Sequence, residues 1–111
     1  MGTHPTNEQR EATALPVLRQ LLAALAGADA GAVQGTLRDD VVVLTDGGRE
    51  VGAKHGAYAL AAVARDAAAW DPPHQHGAHA LLTFTTAGGD RRGIVVEARR
   101  DAIVFAATLS S

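Results

Sequence analysis

Cysteine is absent from this chain of 111 residues, which excludes disulfide frameworks, thiolate metal sites and thiol nucleophiles. Aromatic residues are scarce at 4%, with one Tyr, one Trp and two Phe, so the core has few bulky anchors. A core of small side chains can fold, but it readily leaves a cavity. Neither sign of charge dominates: 10 basic and 12 acidic side chains give a formal net charge of -2. That balance excludes the broad basic surface on which non-specific nucleic-acid binding rests. No apolar run reaches the roughly 18 residues needed to cross a bilayer. The N-terminal residues Thr3, His4, Asn7, Glu8, Gln9 and Arg10 are polar and form no secretory signal. A cytoplasmic protein is therefore expected, with neither a membrane nor nucleic acid as partner. Gly-x-Ser-x-Gly, P-loop and dinucleotide fingerprints are missing as well, and no cofactor is expected.

What is present is 47% apolar and 20% charged, the composition of an ordinary globule with room for one core. Residues 1–12 read as a solvated leader and 13–111 as a single domain. Met1-Gly2 with Thr6 matches an N-myristoylation pattern in form, but no polybasic segment supports it. Leu15, Leu18, Leu22 and Leu25, widened by Val17 and Leu21, place one apolar face on a helix. Pro16 suits the first turn, which makes Thr13 the N-cap unless the helix starts near Asn7. Gly27 closes it, and Asp29 caps a second, shorter helix carrying Val33 and Leu37.

The β-branched run Val41–Thr45 predicts a strand, Asp46-Gly47-Gly48 a hairpin turn and Arg49–Val51 a short return strand. After a loop at 52–56 comes a third helix with Leu60, Val63, Ala67 and Trp70 on one face, ended by Asp71-Pro72-Pro73. The rest reads as an antiparallel meander: a strand from Gln75 to Thr86, one from Arg92 to Arg99, and a third containing Ile103, Val104, Phe105 and Leu109. Alternation places Ala80, Leu82 and Phe84 opposite His79, Leu81 and Thr83, and Ile94, Val96 and Ala98 opposite Val95, Glu97 and Arg99. In the last strand it sets Ile103, Phe105, Ala107 and Leu109 against Val104, Ala106 and Thr108. Both faces carry apolar residues, so one can pack on the helices while the other meets a partner.

This order of elements resembles the SnoaL-like branch of the NTF2-like superfamily. The segments LRQLLAALAGADAGAVQGTLRDDVVVLTDGG, GAYAL and VVEARRDAIVFAATL carry the resemblance, which runs from about Leu15 to Leu109. VVVLTDGGREVGA is also similar to the SnoaL-like domain appended to some extracytoplasmic-function sigma factors, although Arg49-Glu50 depart from that pattern. The resemblance implies an α+β cone, with a curved antiparallel or mixed sheet of about five strands wrapped around three helices. It also implies a cavity at the wide end. Members include ketosteroid isomerases, polyketide cyclases, epoxide hydrolases and domains that only bind or dimerise, so the fold does not decide the function.

Set against the isomerase pattern, Thr45 or Leu44 falls where the catalytic base is expected, and Asp46 comes one residue late. Asp46 is then a catalytic base or simply a turn residue. The hydrolase set does not transfer, because the only Asn is Asn7 and the only Tyr is Tyr58. Glu97, mid-strand between Val96 and Ala98, is the nearest sheet carboxylate to a cyclase-type acid/base. It acts as general acid or base if it sits in a cavity, or pairs with Arg99 on its own face. His74 and His76 share one side of an extended segment and His79 takes the other, half a metal site at most; no metal is expected. His55 and His79 are candidates for the cone mouth. Tyr58 and Trp70, read on the third helix, and Phe84 are candidates to contact a ligand, with Trp70 alternatively completing the core stripe. The expected function is binding of a hydrophobic or amphipathic small molecule, as a homodimer through the open sheet face. The alternatives are a small isomerase, cyclase or hydrolase using Glu97 or Asp46, and a non-catalytic dimerisation module.

Overall fold

The computed structural model describes residues 7–110, with side chains described over 16–109. The elements are α1 (Asn7–Ala26), α2 (Ala30–Gln34), β1 (Leu37–Thr45), β2 (Gly48–Val51), α3 (Ala53–Ala64), β3 (Ala67–Trp70), β4 (His74–His76), β5 (His79–Thr86), β6 (Arg91–Arg99) and β7 (Ala102–Ser110). The Met1-Gly2 pattern lies outside the described residues.

Helix α1 takes the earlier of its two possible starts and holds Pro16 inside it. Its apolar stripe is buried at Val17, Leu18, Leu21, Ala24 and Leu25. The helix ends in a Schellman motif, with Asp29 N–H donating to Ala24 O at 3.1 Å and Ala28 N–H to Leu25 O at 2.9 Å. The left-handed position of that motif belongs to Ala28, at φ 48°, and not to the adjacent Gly27. Asp29 then caps α2 as expected, accepting from Ala32 N–H at 3.2 Å. Leu37 is not on this helix. Thr36, buried, turns its hydroxyl back onto Val33 O at 2.7 Å, and Leu37 opens β1.

The sheet has seven strands, more than the five expected, in the order β2-β1-β7-β6-β5-β3, with β4 also on β5. It is curved and open, and mixed because β1 and β7 run parallel. Its inner face packs Val41, Val43, Leu82, Phe84, Ile94, Val96, Ile103 and Ala106 against the leucines of α1 and Leu60 of α3. Simple alternation fails in β7. Glu97 pairs with Phe105 and Ala98 with Ile103, so Val104 is an extra residue and the side chains beyond it change faces. Ile103 and Ala106 are both buried, while Phe105 and Ala107 lie on the outer face with Glu97 and Val95.

Two further corrections concern residues 64–86. Helix α3 begins at Ala53, so Gly56 lies within it, and it ends at Ala64. Ala67–Trp70 form strand β3 against β5, with Trp70 opposite Phe84. Their rings stack tilted at 4.6 Å and 45°. The strand read from Gln75 to Thr86 is folded in two at Gly77, which has φ 62°, so that β4 doubles back on β5. His76 consequently faces His79 across the strands, and the two lie on the same face of the sheet rather than on opposite ones. Among the described residues no helix is long and apolar enough to cross a membrane.

Candidate functional site

The C-terminal half of α3 lies over the ends of three strands and leaves a cleft of about 260 Å³. The strands run so that the end of β1, the end of β7 and the start of β6 meet at one rim of the sheet. Ala59, Ala62 and Val63 of α3 form the apolar roof. Thr45 and Thr108 lie in the floor, Asp46-Gly47 forms one lip, and Asp66 with Arg92 forms the other. The roof is open because two of its residues are alanines, whose side chains end at Cβ.

Local geometry holds these groups in place. Thr45 Oγ1 accepts from Gly47 N–H at 3.2 Å, which fixes the Asp46 turn at the cleft's edge. Thr108 Oγ1 donates to Leu44 O at 3.5 Å. Arg92 Nη1 stands 3.7 Å from Asp66 Oδ2 across the other lip, with both side chains largely in water. Far along β1, the Arg38 guanidinium hydrogen-bonds the Asp40 carboxylate and holds it below the usual carboxylate range.

Of the residues singled out from the sequence, Asp46 lines this cleft. Glu97 does not. It lies on the outer face of the sheet, 24% exposed, with its Oε1 3.6 Å from Arg99 Nη2 and 3.8 Å from His79 Nε2. His79 is its register partner across β5 and β6. Phe84 is fully buried in the core and Trp70 is packed on it. Tyr58 is 59% exposed and His55 is exposed, both on α3. Helical spacing places His55 on the stripe that continues through Ala59 and Ala62. Among the described residues no three His, Asp or Glu side chains converge to hold a metal ion.

Thr108, Asp66 and Arg92 were not legible as a group. Arg92 reaches Asp66 only because β3 and β5 fold back between them, and no spacing in the chain announces that pairing.

The architecture is the NTF2-like fold, as the resemblance implied. An NTF2-like protein from Cytophaga hutchinsonii shares it at 11% identity and TM-score 0.66, over 100% of this chain and 95% of that one. A protein of ketosteroid-isomerase-like fold from Catenulispora acidiphila, in complex with trimethylamine, shares it at 13% identity and TM-score 0.64, over 89% and 88%. A candidate polyketide cyclase from Sinorhizobium meliloti does so at 16% identity and TM-score 0.69, over 85% and 94%. No protein-family model and no curated protein matches the chain. At such identities the likeness carries the fold, and the chemistry must come from the residues present.

Proposed function

We propose that this protein binds a small hydrophobic or amphipathic molecule in the cleft between α3 and the sheet rim, in a binding or regulatory role in the cytoplasm. The observation that carries this reading is the cleft itself, with alanine and valine on its roof and threonine and charged side chains at its floor and lips. Apolar walls with a few placed polar groups are the usual make-up of a small-molecule site. That a fold neighbour is in complex with trimethylamine supports the same role for this fold. None of Phe84, Trp70, His55 and Tyr58 is in the lining of the cleft, so the roof and lips carry the proposed contacts.

Native mass spectrometry after exposure to a metabolite extract tests the reading, because it reports subunit number and retained mass together. The expected result is a retained small molecule on the wild type and none on Ala59→Phe, whose ring occupies the space under the roof. A ligand retained equally by both proteins would place binding elsewhere and overturn the assignment of the cleft.

The second reading is an enzyme of isomerase, cyclase or hydrolase type, and the position of Asp46 at the cleft favours it. In that reading Asp46 is the acid/base. Glu97 would require a separate site on the outer face, beside His79. Conversion of the retained molecule by the wild type and not by Asp46→Asn, with binding kept, would establish it.

The dimer belongs to this proposal too. Beyond the bulge of β7, the outer face presents Val42, Leu44, Leu81, Val95, Phe105 and Ala107 side by side. A contiguous apolar patch of this kind marks a protein contact. A second copy of the chain is the partner proposed for it.

A further inference from the structure

The charges around the cleft go further than its shape and specify the sign of the ligand. This step rests on the reading of the cleft as a binding site. Three ionised side chains line it: Asp46 on one lip, Asp66 and Arg92 on the other. Arg92 is engaged with Asp66 at 3.7 Å, which leaves Asp46 as the charge at the cleft without a cation beside it in the lining. The roof carries no charged side chain of its own. It is built from the C-terminal half of α3, a helix of 12 residues with no basic side chain in its last turn. The partial negative charge at its carbonyl end is met by the C-cap residue Arg65, whose N–H donates to Ala61 O at 3.1 Å. Arg65, the next residue, lines an adjoining depression with Asp66, Asp90 and Arg92, where two arginines and two aspartates balance.

Asp46 thus stands at a cleft whose floor is Thr45 and Thr108 beside Gly93 and Leu109, and whose roof offers only methyl groups. We infer that the cleft takes a small organic cation, an ammonium carrying apolar substituents, with Asp46 as its counter-ion and Ala59, Ala62 and Val63 against the substituents. A carboxylate of the same shape is disfavoured, because Asp46 repels it and Asp66 offsets the charge of Arg92.

The test uses three probes of similar shape and different charge: tetramethylammonium, tert-butanol and pivalate. Each is titrated into the wild-type protein while the backbone amides of Gly47, Gly93 and Thr108 are followed by NMR. The cation is expected to shift these amides with an affinity about five-fold or more above that of tert-butanol, the ratio that one unit charge about 4 Å away gives in water-like surroundings. Pivalate is expected to bind most weakly. Asp46→Asn, which keeps a residue suited to the turn, should bring the cation down to the level of tert-butanol. Added salt should do the same in part. If tert-butanol matches the cation, or if Asp46→Asn leaves the preference intact, charge selection is overturned while the cleft remains a binding site. If no probe moves the cleft amides, both the inference and the binding reading fall.

Discussion

Gly56 shows how closely α3 approaches the sheet. A Cβ built on it would stand 2.8 Å from Val43 Cγ2 and 3.4 Å from Val41 Cγ1. Helix propensity alone favours alanine there by about 1 kcal/mol. Overpacking opposes it by about 1–3 kcal/mol, and the obstructing group is a β-branched valine that has little rotamer freedom. Gly56→Ala should therefore lower stability by about 1 kcal/mol net, read as a lower urea midpoint at unchanged slope. A raised midpoint would show that Val43 yields at no cost. Ala28 is the opposite case. It holds φ 48° at the end of α1 with a Cβ that disfavours this conformation. Ala28→Gly should raise stability by roughly 0.5–1 kcal/mol, seen as a higher urea midpoint. The sequence pointed to Gly27 because glycine is the usual residue at that turn. Which of two adjacent residues takes the left-handed position is decided by where the last helical hydrogen bonds fall, and those depend on the docking of α1.

Among the elements, β3 is the one least visible beforehand. Ala67, Ala68 and Ala69 are the best helix formers, and Trp70 completes a 3.6-residue stripe with Leu60 and Val63, so local preference and period both argued for helix. Pairing with β5 overrides them, since it buries Trp70 against Phe84. Asp71, read from the sequence as a helix terminator, secures this strand. Its carboxylate accepts from Thr83 Oγ1 and from Arg91 Nη2, both at 2.7 Å, and its N–H donates to Thr83 O at 2.9 Å. Asp71→Ala should cost about 1–2 kcal/mol and speed amide exchange at Trp70, with Asp71→Asn intermediate. Unchanged exchange at Trp70 would mean that ring packing alone holds β3. The two glycine-marked turns fared differently. Asp46-Gly47-Gly48 was legible because a hairpin needs such residues. Gly77 was not, because a single glycine in an alternating run also fits a continuous strand.

For the molecule as a whole, the sheet presents two apolar faces and the helices cover only one. Leu44, 39% exposed, and Leu109, 48% exposed, lie at the end of the outer patch nearest the cleft. Leu44→Glu should give a protein with the subunit's mass by native mass spectrometry where the wild type gives twice that mass, with its thermal midpoint as a folded monomer preserved. A wild type that is itself monomeric would remove the dimer from the proposal and leave the cleft, which shares only Leu109 with the patch, as a binding site.

By itself the sequence determined the class and order of most elements, since the leucine stripe, the Val41–Thr45 run and the paired glycines each follow from local periodicity and backbone sterics. It also determined what the chemistry excludes, having no thiol and no nucleophile motif. The tertiary structure decided which side chains share a site. One inserted residue at Val104 reverses the rest of β7, the fold-back at Gly77 brings His76 opposite His79, and the seven-stranded path carries Arg92 to Asp66. Each of these depends on strand register, which is fixed by pairing with distant parts of the chain, and a local pattern does not encode that pairing.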